Sequence, residues 1–179
     1  RLRADVPVAC YLSGGIDSAV VARLAQMATP GKVLGVVMPC HSDPQDQADG
    51  ELVAQRFSLP TVTIDLAPAY DVLIADLKTL FVQLPDEQVP EPGDEASDVK
   101  ARVPLANVKP RLRMTALYYI ANSLNYLVAG TGNRSELTIG YFTKHGDGGV
   151  DVLPLGRLTK GEVVAIARFR AIRLTSTSA

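Results

Sequence analysis

The residues best placed to do chemistry in this sequence are Tyr11-Leu12-Ser13-Gly14-Gly15-Ile16-Asp17-Ser18, which follow the apolar run 6–10 and precede the helix-forming run 19–25. An apolar run, a glycine pair and then helix formers read as strand, tight turn, helix. The glycines let the backbone turn sharply and aim several N–H groups at one spot, where the next helix adds its positive end. That spot wants an anion, and phosphate fits. The hydroxyls of Ser13 and Ser18 suit phosphate oxygens, and Asp17, a carboxylate where anions bind, makes sense if it holds the Mg²⁺ that accompanies a nucleotide. No lysine lies between Arg3 and Lys32, so the turn lacks the lysine of a Walker loop. Backbone and hydroxyl groups would then hold the two terminal phosphates and leave the α-phosphate facing outward, which suits chemistry in which pyrophosphate departs and AMP is transferred.

A second glycine-bearing turn, Thr131-Gly132-Asn133-Arg134-Ser135-Glu136, ends another short apolar run, 126–130. Open α/β sheets take their ligands at such strand ends. Residues 142–151, with Gly146, Gly148, Gly149, Lys144, His145, Asp147 and Asp151, make a poor core and a good ligand loop. Thr159-Lys160-Gly161-Glu162 has capping-box spacing and opens a helix. His41 and His145 receive no role.

The elements that must position these groups follow from periodicity. Strands are expected over 6–10, 32–38, 60–66 and 126–130, with helices over 19–25, 51–57 and 70–81. The helix over 70–81 should turn Val72, Leu73, Leu77 and Leu80 inward, and residues 43–47 read as a polar turn. A further helix is expected over 107–125, with Pro110 tolerated only in its first turn. Residues 85–104 contain Pro85, Pro90, Pro92 and Pro104 among acidic residues and read as a mobile loop within the domain. Right-handed crossovers place strand two parallel to strand one, so that Val37 and Met38 border a nucleotide base, and the two glycine turns meet at the switch point between strands one and four. The fold class is therefore α/β: a doubly wound open parallel sheet with helices on both faces.

At 179 residues, 47% hydrophobic and 21% charged, the chain suits one globular domain, 1–179. A net charge of -1 with scattered basic residues gives no electrostatic reason for a nucleic-acid or membrane partner. Cys10 and Cys40 show no metal spacing and fit a reducing compartment, so a cytoplasmic protein is expected. No run is long enough to cross a bilayer and no leader is evident. The opening at Arg1 leads us to expect that N-terminal residues are missing.

Ser13 to Ser18 resembles the PP-loop of the ATP pyrophosphatase superfamily. The segment Gly130-Thr131-Gly132-Asn133-Arg134-Ser135-Glu136, followed by Gly140-Tyr141-Phe142-Thr143-Lys144 and Gly146-Asp147-Gly148-Gly149, resembles the ammonia-dependent NAD synthetases, as does Asn107-Val108-Lys109 with Arg111-Leu112-Arg113-Met114. The likeness covers nearly the whole chain. It implies an adenine nucleotide alpha hydrolase-like fold and a homodimer whose dinucleotide site lies between subunits. The implied reaction is ATP-dependent amidation of deamido-NAD with ammonia through an adenylylated intermediate, giving NAD, AMP and pyrophosphate. By the same resemblance ATP is held by Tyr11 to Ser18, Val37, Thr131 and Lys160, Mg²⁺ by Asp17 and Glu136, and deamido-NAD by Arg111, Lys144 and Asp151.

The sequence departs from the family at Pro110, where alanine is expected, and it lacks the family's first helix and its segments after Ala171. The chain is therefore expected to be either part of a complete enzyme or a truncated product, and a truncated monomer is expected to bind ATP yet fail to turn over. Two rivals are another PP-loop amide-forming synthetase, such as a GMP or asparagine synthetase domain, and a non-catalytic ATP-binding module laid out like the universal stress proteins. Neither has a reason for both the loop 142–149 and the pair Asp17 and Glu136.

Overall fold

A computed structural model describes residues 6–85 and 99–175. In chain order the elements are β1 (Val8–Tyr11), α1 (Ile16–Ala28), β2 (Val33–Val37), α2 (Pro44–Arg56), β3 (Thr61–Thr63), α3 (Ala67–Thr79) with a 3-10 turn Leu80–Gln83, α4 (Val99–Leu124), β4 (Leu127–Ala129), α5 (Arg134–Ile139) and α6 (Lys160–Thr175). The strands form one parallel sheet in the order β3-β2-β1-β4. A parallel bridge from Ala129 to Val152 extends it beyond β4.

Because successive strand residues face opposite sides, β1 sends Val8 and Cys10 into one apolar cluster and Ala9 into another. The first cluster joins β1 to α1, to Ala54 of α2 and to Val163 of α6; the second joins it to Leu117 and Ala121 of α4. Burial on both faces explains why β1 and β2 read as unbroken apolar runs. The doubly wound layout is as expected, and the order reverses at β1, whose neighbours are β2 and β4. The C-terminal ends of β1 and β4, and hence the two glycine turns, lie side by side.

Four expectations are corrected. Residues 43–47 are not a turn: Asp43 caps α2 by accepting the Gln45 N–H at 2.9 Å, and Pro44 occupies the first helical position, where its missing N–H costs nothing. Helix α4 begins at Val99 and carries both Pro104 and Pro110 in its interior, so packing of Leu117 and Ala121 against the sheet outweighs the local penalty of proline. The end of the stretch 85–104 is thus helical, while residues 86–98 lie outside the described residues. The apolar stripe of α3 exists but is not an inner face, since Val72 is 63% exposed, Leu77 45% and Leu80 47%. Helical spacing creates a face without specifying what covers it. The third strand is only three residues long, because after Thr63 the chain turns toward the Leu66 N–H, bonded to Pro39 O at 2.8 Å.

Candidate active site

The first glycine turn is held in shape by its own serines. The Ser18 hydroxyl, buried at the start of α1, donates to Gly15 O at 2.8 Å and accepts from the N–H and the hydroxyl of Ser13 at 3.3 and 3.2 Å. Gly14 has φ +79, and a Cβ there would lie 2.5 Å from the Asp46 carbonyl oxygen of α2, so only glycine fits. Gly15 stands at the N-cap of α1 and supplies no side-chain cap. The helix's first-turn N–H groups, which have no intrahelical partners, are left facing the turn. In this respect α1 differs from α2 and α5, which are capped by Asp43 and Asn133. An uncapped helix start behind a glycine turn is an anion site.

Across the switch point, Asn133 caps α5 by accepting the Glu136 N–H at 3.1 Å, while Glu136 Oε2 accepts the Asn133 N–H at 3.1 Å, completing a capping box. The Asn133 amide reaches the other turn and donates to Asp17 Oδ1 at 3.2 Å. The second oxygen of Asp17 accepts from the Lys160 ammonium at the start of α6. Lys160 is itself placed by a bond from its N–H to Ser135 Oγ at 3.1 Å and by the Thr159–Glu162 cap, in which Glu162 accepts from the Thr159 N–H and hydroxyl at 2.7 Å. Those bonds hold the Glu162 carboxyl below its usual pKa. Asp17, Glu136, Lys160 and the Ser13–Ser18 turn thus converge as expected. Asn133 was not singled out from the sequence, although its spacing to Glu136 was the available signal.

The two carboxylates meet the chemistry of Mg²⁺, which takes one or two carboxylates and completes its shell with water and phosphate oxygens. Among the described residues no group of three or more His, Cys, Asp or Glu side chains is poised for a metal. A centre built on soft thiolate ligands gains no support from this donor set.

Beside the glycine turns lies a cavity of about 270 Å³, walled by Tyr11 and Met38 at the strand ends, Arg113 and Met114 of α4, and Thr131. A smaller recess next to it is lined by Ser13, Val37, Met38 and Ser42. Arg113 of the cavity wall reaches residues of the recess: it donates to Met38 O and to Ser42 Oγ, both at 2.9 Å, and its guanidinium lies 5.3 Å from the centre of the Tyr11 ring. Sequence reading gave Arg113 no individual role, because only the fold shows that it packs on a strand end. Arg111 donates from Nε to Lys144 O at 3.2 Å, so α4 and the loop 142–151 meet at these two exposed basic residues. Asp151 does not join them. Its oxygens accept from the Tyr118 hydroxyl at 2.9 Å and the Val128 N–H at 2.8 Å, fastening the loop to α4 and β4. Burial and the Asp151 carboxylate push the Tyr118 phenol up to about 12. Both cysteines are buried and free; burial pushes Cys10 up to about 12 and also raises Cys40.

A parallel sheet that presents anion-binding N–H groups at the end of β1 and a carboxylate turn at the end of β4, without a Walker lysine, is a nucleotide-binding fold of the PP-loop class. The NAD synthase family model matches residues 6–174, and the chain belongs to that family. It is 51% identical over 158 residues to the NH(3)-dependent NAD(+) synthetase of Carboxydothermus hydrogenoformans, covering 88% of this chain and 59% of the relative. Among solved structures, an NH3-dependent NAD synthetase from Campylobacter jejuni, in complex with the nitrate ion, superposes with a TM-score of 0.77 at 30% identity, over 96% of this chain and 67% of the other. An NMN synthetase from Francisella tularensis gives the same TM-score of 0.77 at 32% identity, over 93% and 62%. The chain therefore spans about 59% of the length of the curated relatives it matches first. Among the described residues no helix is long and apolar enough to cross a membrane.

Proposed function

We propose that this chain carries the adenylating site of an ammonia-dependent NAD synthetase, activating the nicotinate carboxylate of deamido-NAD with ATP so that ammonia displaces AMP. The observation that carries the reading is the convergence of Asp17, Glu136 and Lys160 on the uncapped start of α1. Residues 11–18 bind the leaving pyrophosphate by N–H groups and the Ser13 hydroxyl, while Ser18 keeps the turn in shape. Mg²⁺ is held by Asp17 and Glu136 and neutralises phosphate charge. Lys160 and Thr131 contact ATP, and the base lies toward the C-terminal end of β2, near Val37. Arg111 and Lys144, already in contact, take the phosphates of deamido-NAD; Asp151 supports that site by anchoring the loop behind Lys144.

The whole chain works as one domain. We assign it to the cytoplasm, where its two buried thiols stay reduced. The partner is a second copy of this chain, as the resemblance to a homodimeric family implies. A second reading, formation of NMN in place of NAD, is favoured by the likeness to the Francisella tularensis structure. Parallel assays with deamido-NAD and with the corresponding mononucleotide acid separate the two: faster amidation of the dinucleotide supports the first reading, and exclusive use of the mononucleotide supports the second.

A further inference from the structure

The side chain of Asn133 is fully buried and both ends of its amide are in use. A helix cap needs only an acceptor, which its Oδ1 supplies to the Glu136 N–H at 3.1 Å. The orientation is fixed, because the N–H must face the carbonyl end and the Asp17 carboxylate must face the NH₂ end. The donor left over is directed 3.2 Å away to Asp17 Oδ1, 116 residues back in the chain. Meanwhile the main-chain N–H of the same residue holds Glu136 Oε2 at 3.1 Å. One buried residue therefore touches both carboxylates, one through its side chain and the other through its backbone.

We propose that Asn133 is the positioning residue of the metal site, fixing the separation and orientation of Asp17 and Glu136 across the β1–β4 switch point. The inference rests on the function proposed above, since it takes the two carboxylates as ligands of Mg²⁺. It differs from a pure capping role in what it demands. Serine caps helices about as well as asparagine and threonine only slightly less well, but neither has the amide arm that reaches Asp17. Removing a group that orients a metal ligand weakens metal binding about 10- to 100-fold.

The test uses the full chain with Mn²⁺ as probe, its free-ion signal followed by electron paramagnetic resonance in the presence of a non-hydrolysable ATP analogue, alongside thermal unfolding. Asn133→Thr, close to asparagine in size, and Asn133→Ser are expected to weaken Mn²⁺ binding about 10-fold with little change in unfolding temperature. Asn133→Ala, which also loses the cap, is expected to lose a further roughly 2–4 °C. If the threonine and serine variants bind Mn²⁺ as the unaltered chain does, or if metal is lost only in proportion to unfolding, Asn133 is a cap and nothing more. Failure of the unaltered chain itself to bind Mn²⁺ with the ATP analogue contradicts the proposed function, and this inference with it.

Discussion

Lys160 and Asp17 form an ion pair although 143 residues separate them, and the pair joins the first turn of α6 to the first turn of α1. A cation at a helix start opposes the helix dipole, so the position is explained by what it faces and not by the helix it begins. The Lys160 side chain is 48% exposed and that of Asp17 only 16%, but the Asn133 amide still holds Asp17 when the lysine is gone, and a pair open to water on the lysine side contributes about 1 kcal/mol. Lys160→Ala should therefore leave the unfolding temperature nearly unchanged. It should weaken ATP binding about 10- to 100-fold, the loss of one hydrogen bond between charged groups. Calorimetric titration with an ATP analogue and Mg²⁺ checks this, and an unaltered affinity would remove Lys160 from the nucleotide site.

Asp17→Asn and Glu136→Gln should each abolish Mg²⁺-dependent adenylation while the chain stays folded. Glutamine keeps the oxygen that accepts the Asn133 N–H, and the capping box tolerates it. Circular dichroism melting together with AMP release measures both halves of the statement. Full activity in either variant would exclude that residue as a ligand.

Lys144→Ala should raise the half-saturating concentration of deamido-NAD more than that of ATP, because its loop meets Arg111 of α4, whereas Lys160 pairs with Asp17 at the first glycine turn. Initial rates with each substrate varied in turn decide the point. Equal losses for both substrates would contradict the assignment.

Much of this arrangement was legible in the sequence because it is local. The glycine pair forces a turn, unbroken apolar runs mark doubly covered strands, and crossover handedness brings the turns after β1 and β4 together. What was missed depends on contacts distant in sequence. The stripe on α3 looked internal because Val72, Leu77 and Leu80 recur at helical spacing, yet spacing cannot say whether a surface of the same chain covers them. Pro110 looked like a helix start, but burial of Leu117 and Ala121 carries α4 through it. Asp43 and Pro44 suit a polar turn as well as a helix cap, and only the contacts of α2 decide for the cap. Arg113 and Asn133 became visible only when Met38, Ser42 and Asp17 were placed beside them.

The nitrogen donor is expected to be free ammonia, since use of glutamine by a thiol needs an activated cysteine beside a base. Burial holds the thiols of Cys10 and Cys40 in the protonated form. Activity at fixed total ammonium should rise with pH as the neutral amine fraction grows, and Cys40→Ala should change it little. Because the folded-state pKa of Cys10 is raised from 9.0 to about 12, its contribution to stability is complete below pH 9 and is lost as pH rises toward 12. A urea midpoint that falls over this window, and falls less in Cys10→Ala, confirms the sign. NAD formation from glutamine without ammonium, lost on changing Cys40, would overturn the prediction.

The most direct test of the account is to incubate the chain with ATP, Mg²⁺, ammonium and deamido-NAD and to quantify AMP and NAD together. Equimolar AMP and NAD, both absent when deamido-NAD or Mg²⁺ is omitted, is the predicted result. Release of ADP and inorganic phosphate, or AMP formation indifferent to deamido-NAD, would contradict adenylation at the β1–β4 switch point.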